Sequence, residues 1–256
     1  MLLAMIEQWK AAVDSGLTVG AIFIDFKKAF DTVSHNVLSS KLQAFGICGH
    51  LHGWIMHYLT NRKQYTELNG TKSSTLNVDY GVPPGSLVGP RLFTIYVNEL
   101  PESINAGKVF MYADDTTIYC TGTNFEDVVS KLNSIMDQIS LWSVKNKLTI
   151  HPSKSEAMII RKSPFIGPLC PVRYGSAFVN FVTSTTCLGV TIDNKLSWSA
   201  HIEKVNKNFS NKVCALKRMC HLPQPVLQDI YYFKTIIPCV TYAIAVCGPH
   251  QPYGLP

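Results

Sequence analysis

The sequence predicts an α+β fold: an antiparallel-rich sheet backed by helices, followed by a helical extension. Three observations carry that expectation. Val109-Phe110-Met111 and Thr116-Thr117-Ile118-Tyr119 flank Tyr112–Asp115, the layout of a β-hairpin with carboxylates at its tip. Ala21-Ile22-Phe23-Ile24, closing at Asp25, reads as a buried strand. Val128, Leu132, Ile135, Ile139 and Trp142 step by three or four, marking a long helix whose apolar stripe packs on a sheet.

The remaining elements follow in order. Leu2, Leu3, Met5, Ile6, Trp9, Ala12 and Val13 recur at helical spacing, and Gly16 is the stop. A strand over Thr18–Asp25 comes next. Helices are expected over Ser34–Phe45, ended by Gly46, and over Leu51–Leu59. Gln64–Leu68 and Ser74–Tyr80 read as strands around Asn69-Gly70, a strong hairpin turn signal. Gly81–Gly89 is a loop, and Pro90 opens a helix running to about Leu100. After the Lys108–Cys120 hairpin and the long helix, strands are expected near Leu148–Ile150, Glu156–Arg161, Val172–Phe181 and Cys187–Ile192. From Ser199 the chain reads as two helices with Pro223 and Pro225 between them.

Composition sets bounds. The 256 residues suit one large domain or a domain with an appendage. A hydrophobic share of 46% supports a real core and argues against disorder. Net charge is +6, which suits a polyanionic partner without requiring one. None of the eight cysteines forms a C-x-x-C pair, which disfavours structural zinc. His50, His52 and His57 around Trp54 read as the exposed faces of an amphipathic helix rather than a metal site. No uninterrupted apolar stretch reaches the ~20 residues of a membrane span, and no membrane partner is expected. An intracellular, reduced setting is the default.

The chemistry starts from Asp25, Asp114 and Asp115. Rigid strand ends bearing carboxylates can hold a pair of Mg²⁺ ions roughly 3.5–4 Å apart, which is what phosphoryl transfer asks for. The alternative is a solvated turn. Gly81–Gly85 is a loop whose backbone can approach a ligand closely. Asp31 is expected to cap the next helix.

Four blocks occur in one order: Phe23–His35 (FIDFKKAFDTVSH), Gly81–Pro90 (GVPPGSLVGP), Tyr112–Thr116 (YADDT) and Cys187–Asp193 (CLGVTID). Together they resemble the successive palm blocks of reverse transcriptases from non-LTR, LINE-like retrotransposons of the jockey type. The resemblance runs from about Gly20 to the C-terminus. It implies a palm over 1–193, with the fingers largely missing, and a partial helical thumb over 194–256. It implies RNA-directed DNA polymerase activity with template RNA, primer DNA and dNTPs as partners. The implied cofactor is two Mg²⁺ ions, for which Mn²⁺ can substitute.

The same resemblance assigns roles residue by residue. Asp25, Asp114 and Asp115 become metal ligands, joined by the Phe26 carbonyl. Phe30, beside Ala29, becomes the residue under the incoming sugar that selects deoxynucleotides; alone it reads as a core aromatic. Pro84, Gly85 and Ser86 fall in the nucleotide-positioning loop. Lys154 becomes a proton donor or charge stabiliser near the leaving pyrophosphate, against the alternative of an ordinary surface lysine. Leu188, Gly189 and Val190 become the hairpin holding the primer end. Lys204, Lys207, Lys212, Lys217 and Arg218 track phosphates or form a solvated helix face.

The chain also departs from the pattern. Pro84 replaces the usual Gln, deleting an amide and a backbone N–H, and Cys247-Gly248 replaces Trp-Gly. Lys10 is the only basic residue before Asp25, where the fingers would supply several. These departures support a second expectation, a truncated remnant that folds and binds nucleic acid without polymerising. A nucleic-acid-binding module and a nucleotidyl cyclase are the other rivals.

Overall fold

Helix α1 (Leu2–Asp14) buries Leu2, Met5, Ile6 and Trp9 on one face and leads, through Gly16 at φ +82°, into β1 (Thr18–Ile24). The computed structural model describes residues 1–83, 85–162, 171–219 and 222–247; Pro84 and Gly248 lie outside them. β1 is buried along nearly its whole length, as expected of a strand covered on both faces. Helices α2 (His35–Ala44) and α3 (Gly49–Leu59) follow. Short strands β2 (Arg62–Gln64) and β5 (Leu76–Val78) pair, and inside them β3 (Glu67–Leu68) and β4 (Thr71–Lys72) close on Asn69-Gly70. Both turn residues have positive φ, the backbone such two-residue hairpins require.

Helix α4 (Gly89–Val97) carries Pro90 in its first turn. A 3₁₀ turn at Pro101–Ser103 precedes the hairpin of β6 (Lys108–Tyr112) and β7 (Asp115–Gly122). Helix α5 (Phe125–Asn146) is capped by Asn124, whose side chain accepts the Asp127 N–H at 2.8 Å, and ends at Lys147 with φ +50°. Its buried stripe holds the predicted Val128, Leu132, Ile135, Ile139 and Trp142. The stripe packs closely at Gly20, where a Cβ would lie 2.3 Å from Val128 Cγ1.

Then come β8 (Glu156–Ile160), β9 (Val172–Tyr174), β10 (Ala177–Phe181), β11 (Ser184–Cys187) and β12 (Val190–Asp193). The main sheet has six strands in the order β6-β7-β1-β8-β10-β9. It is mixed: β6–β7 and β9–β10 are antiparallel, whereas β10 runs parallel to β8. Helix α6 (Ser199–Arg218), α7 (Gln224–Val226), a π-helical run at Leu227–Ile236, α8 (Ile237–Thr241) and α9 (Ile244–Cys247) complete the described chain.

Five expectations need correction. Cys187–Ile192 is not one strand, because Leu188 (φ +48°) and Gly189 (φ +77°) turn the chain between β11 and β12. Val172–Phe181 is a hairpin rather than one strand, because Gly175 turns the chain at φ +58°. Leu148–Ile150 forms no strand; Ile150 makes a single antiparallel bridge to Phe26. Asp31 caps no helix, since α2 begins at His35 with Ser34 in the N-cap position. Leu227–Cys247 is long and apolar enough to cross a membrane by length and composition alone, at 21 residues and mean hydropathy 1.5. It nevertheless carries Asp229 and Lys234, and its helical geometry breaks at Tyr242, which is extended, and Ala243 at φ +58°.

Two compact units emerge. One comprises Gly20–Ala157 and the segment closing at Phe181; the other comprises Met1–Val19, the segment opening at Met158, and the chain from Val182.

Candidate active site

Within the unit built on Gly20–Ala157, Asp25 stands at the end of β1, where the chain is tied to a second segment. The His151 N–H donates to the Asp25 carbonyl at 2.8 Å, and the Lys27 N–H donates to the Thr149 carbonyl at 2.8 Å. The Asp25 N–H donates to Ser155 Oγ at 3.1 Å, and that hydroxyl donates to the His151 carbonyl at 3.1 Å. Ser155 is fully buried. Phe26 and Ile150 are therefore a non-hydrogen-bonded pair, so the Phe26 carbonyl stays outside the bonds to that segment and is directed away from it. This carbonyl is available as a ligand.

Asp114 and Asp115 sit at the tip of the β6–β7 hairpin. Tyr112 pairs with Asp115, leaving Ala113-Asp114 as a two-residue turn. Ala113 has φ +54°, a conformation that costs a non-glycine residue of order 1 kcal/mol. Tyr112, Ala113, Asp114 and Asp115 are all exposed. Although the residue is exposed, partial desolvation of its carboxyl, and then the charges of Asp114 and Asp25, push the Asp115 carboxyl above its ordinary range. β7 and β1 are neighbours in the sheet, so Asp25 and the hairpin tip belong to adjacent strands.

Oxygen-only donors of this kind suit a hard divalent cation such as Mg²⁺. Among the described residues, no three His, Cys, Asp or Glu side chains stand close enough to enclose an ion. The three aspartates share a field without forming a closed cage.

Next to Asp25, Ala29 is buried and Phe30 half-buried. The Phe30 ring lies against Phe93 with centroids 4.7 Å apart and a 40° tilt. The Phe30 carbonyl accepts from the Val82 N–H at 2.8 Å, and the Val33 carbonyl accepts from the Gly81 N–H at 2.8 Å. His35 Nε2 bonds the Gly81 carbonyl at 2.7 Å. A Cβ on Gly81, at φ +85°, would fall 2.8 Å from the Asp31 carbonyl oxygen. Only glycine fits there. The loop is thereby fixed to the segment carrying Phe30.

Farther along that loop, Ser86 Oγ accepts the Gly89 N–H at 2.8 Å, and Gly85 is exposed. Lys154 is exposed on the turn after His151, its N–H donating to the His151 carbonyl at 3.0 Å. It therefore shares the corner that holds Asp25. Sequence reasoning missed His35, His151 and Ser155 as positioning residues. Each had a signal: His35 as the last residue of the Phe23–His35 block, and His151 and Ser155 within the run 146–156 (NKLTIHPSKSE) that carries Lys154.

A buried set lies behind these segments. Lys41 Nζ donates to the Tyr96 carbonyl and pairs with Glu99 at 3.1 Å. Tyr96 Oη donates to the Asn146 carbonyl and accepts the Ser34 N–H at 3.3 Å.

In the other unit, β11 and β12 join through Leu188 (φ +48°) and Gly189 (φ +77°), with Cys187 opposite Val190. Val190 is fully buried, and Tyr242 Oη donates to the Leu188 carbonyl. The Gly189 turn lines a groove with Lys204, Lys212, Lys234 and Tyr242. Lys207, Lys217 and Arg218 lie on the same helix, α6, outside that groove lining.

Residues 4–192 match the family described as "Reverse transcriptase (RNA-dependent DNA polymerase)". The chain is 26% identical over 242 residues to the RNA-directed DNA polymerase from mobile element jockey of Drosophila melanogaster, covering 90% of this chain and 26% of that protein. It is 26% identical over 213 residues to the probable RNA-directed DNA polymerase from transposon X-element of the same fly, covering 82% and 23%. The chain thus spans about a quarter of the length of these curated relatives. Among solved structures, telomerase from Candida tropicalis in complex with a fragment of telomeric RNA superposes with a TM-score of 0.51 at 12% identity, covering 96% of this chain and 41% of that one. That likeness concerns the fold alone.

Proposed function

Because the chain belongs to the reverse transcriptase (RNA-dependent DNA polymerase) family, we propose that it adds dNTPs to a primer on an RNA template as the polymerising part of a non-LTR retrotransposon protein, working inside the cell. The observation that carries this reading is the placement of Asp25 at the end of β1 and of Asp114 and Asp115 at the tip of the hairpin whose strand β7 neighbours β1 in the sheet. Asp25, the Phe26 carbonyl, Asp114 and Asp115 would hold two Mg²⁺ ions, with Mn²⁺ as substitute. Bound there, the ions supply charge neutralisation for the triphosphate and activation of the primer hydroxyl.

The chain's own residues supply position. Ser155 and His151 fix Asp25. His35 and the Gly81 backbone fix the loop bearing Gly85 and Ser86 beside Phe30 and Ala29. Phe30, braced by Phe93, presents a partly open ring to select deoxyribose. Lys154 would protonate or stabilise the leaving pyrophosphate, and the Leu188-Gly189-Val190 turn would hold the primer end. In this reading the palm spans 1–193 and a partial thumb 194–256.

Two measurements on the 256-residue chain test this. Mg²⁺ titration should raise the thermal midpoint, since a ligand bound only by the folded state stabilises it. D25N/D114N/D115N should lose that response. A labelled primer on an RNA template should then show Mg²⁺-dependent extension that the same variant abolishes. An Mg²⁺ response unchanged in the variant overturns the metal assignment. Binding of primer–template without extension would favour the remnant reading, which Pro84 in place of the family's Gln supports.

A further inference from the structure

A second cationic cleft, formed of residues that the reading above does not use, lies in the unit containing α1 and α6. Its volume is about 360 Å³, at the small end of ligand-sized clefts. Lys10, Arg161, Lys162 and Lys195 line it, with Asp14 the one acid and Ile160 and Leu196 among the apolar lining.

Four lysines among the described residues meet a carboxylate, three of them outside the cleft. Lys41, Lys72 and Lys131 each meet a carboxylate, at 3.1, 3.9 and 2.9 Å. In the cleft, Asp14 pairs with Lys162 at 3.1 Å. Among the described residues, no carboxylate comes within ion-pair distance of Lys10, Arg161 or Lys195.

The scaffold under them is fixed. The Lys10 ammonium stands 5.6 Å from the centroid of the Trp198 ring, itself buried, an attraction that holds the ammonium in place. Asp193 accepts the N–H groups of Lys195, Ser197 and Trp198 and the Ser197 hydroxyl. Its oxygens are committed to the turn that displays Lys195. Leu196 and Trp198, at φ +54° and +63°, complete that turn.

We propose that this cleft binds the phosphodiester backbone of a nucleic-acid strand, as a contact separate from the α6 groove lined by Lys204, Lys212 and Lys234. The inference rests on the polymerase reading for its choice of polyanion. Charge carries the rest: three cations without carboxylate partners stand over an apolar lining, and the Arg161 guanidinium fits phosphate with two parallel hydrogen bonds. Lys10 and Lys195 act as point charges beside it.

The test uses the full chain and a short, unstructured, labelled single-stranded RNA, titrated by fluorescence anisotropy over a salt series. Each phosphate contact on a single strand contributes about −0.7 to the log–log salt slope. R161Q/K195Q should therefore bind several-fold more weakly, with a slope shallower by about 1.4, and melt at the wild-type temperature. K204Q/K212Q/K234Q serves as the comparison at the other groove. If only that triple variant changes the slope, the cleft proposal falls and the polymerase reading stands. If the wild-type chain shows no salt-sensitive RNA binding, both fall. If inorganic phosphate or polyglutamate displaces the RNA from wild type as well as unlabelled RNA does, the cleft is a site for free anions or acidic peptides, and the proposal is overturned.

Discussion

Asp115 shows how a single side chain can set function against stability. Burial and the charges of Asp114 and Asp25 raise its carboxyl above the ordinary value of 3.8. The folded state then holds that proton more tightly than the unfolded chain. Its contribution to stability is present below about 3.8 and declines as pH rises through the raised folded value. At neutral pH the charge is a net strain on the fold. D115N should therefore raise the thermal midpoint in Mg²⁺-free buffer, while removing the stabilisation by Mg²⁺. A drop in midpoint in EDTA would show that Asp115 is not under like-charge repulsion. Ser155 works the other way. Its buried hydroxyl joins the Asp25 N–H to the His151 carbonyl, so S155A should cost about 1–3 kcal/mol by leaving the Asp25 N–H unsatisfied, while the His151 carbonyl keeps the Lys154 and Ser155 N–H groups. Urea denaturation would measure it. Phe30 can be separated from core packing because it is only half-buried against Phe93. F30V, placed in a full-length relative of this chain, should admit ribonucleotides with modest loss of dNTP use. Unaltered sugar choice would return Phe30 to the core.

At the scale of elements, what was legible in the sequence was what local pattern determines. The β6–β7 hairpin was readable because β-favouring runs flank a short acidic turn, and α5 because its stripe steps at helical spacing for about four turns. The Val172–Phe181 hairpin was missed because Gly175 sits in a run that otherwise reads as strand. Leu148–Ile150 misled because apolar residues there serve one bridge to Phe26 rather than a ladder. The acids of the site were legible as residue types at strand ends. Their fixing by Ser155, His151 and His35 was not, because those bonds join segments 46 to 130 positions apart and leave no periodic trace. The Lys41–Glu99 pair between α2 and the end of α4, buried at the lysine and partly exposed at the carboxylate, is equally silent in sequence. Burial lowers the Lys41 ammonium despite Glu99. For Glu99 burial acts upward, but the hydrogen bond and charge of Lys41, together with Asn146 and Lys145, more than offset it, so its carboxyl sits below the usual value. The stability it lends is present above about 4.5 and lost as pH falls through the depressed value. K41A should destabilise the fold by removing the ammonium from the Tyr96 carbonyl and Glu99, and the part of the acid-induced loss that Glu99 contributes should vanish in K41A/E99A. Acid titration of the midpoint in both variants decides this.

At the scale of the whole molecule, a net charge of +6 coexists with a cluster of aspartates whose electrostatics call for cations. The two features predict two separable responses. Nucleic acid should stabilise the fold through the basic surface, and Mg²⁺ through Asp25, Asp114 and Asp115. A ligand at 100 times its Kd contributes about 2.7 kcal/mol, and each kcal/mol shifts the midpoint of a chain near this size by about 2–4 °C. Primer–template at that excess should thus raise the midpoint by about 5–11 °C in low salt. The shift should shrink steeply as salt rises, because displaced counterions drive the binding. D25N/D114N/D115N should keep the nucleic-acid shift, or gain slightly as three negative charges leave the surface that meets phosphate, and lose the Mg²⁺ shift. The two responses would then belong to different residues. If the triple variant lost both shifts together, the aspartates would be holding the fold or the nucleic acid rather than metal. The assignment of Asp25, Asp114 and Asp115 as metal ligands would have to be abandoned.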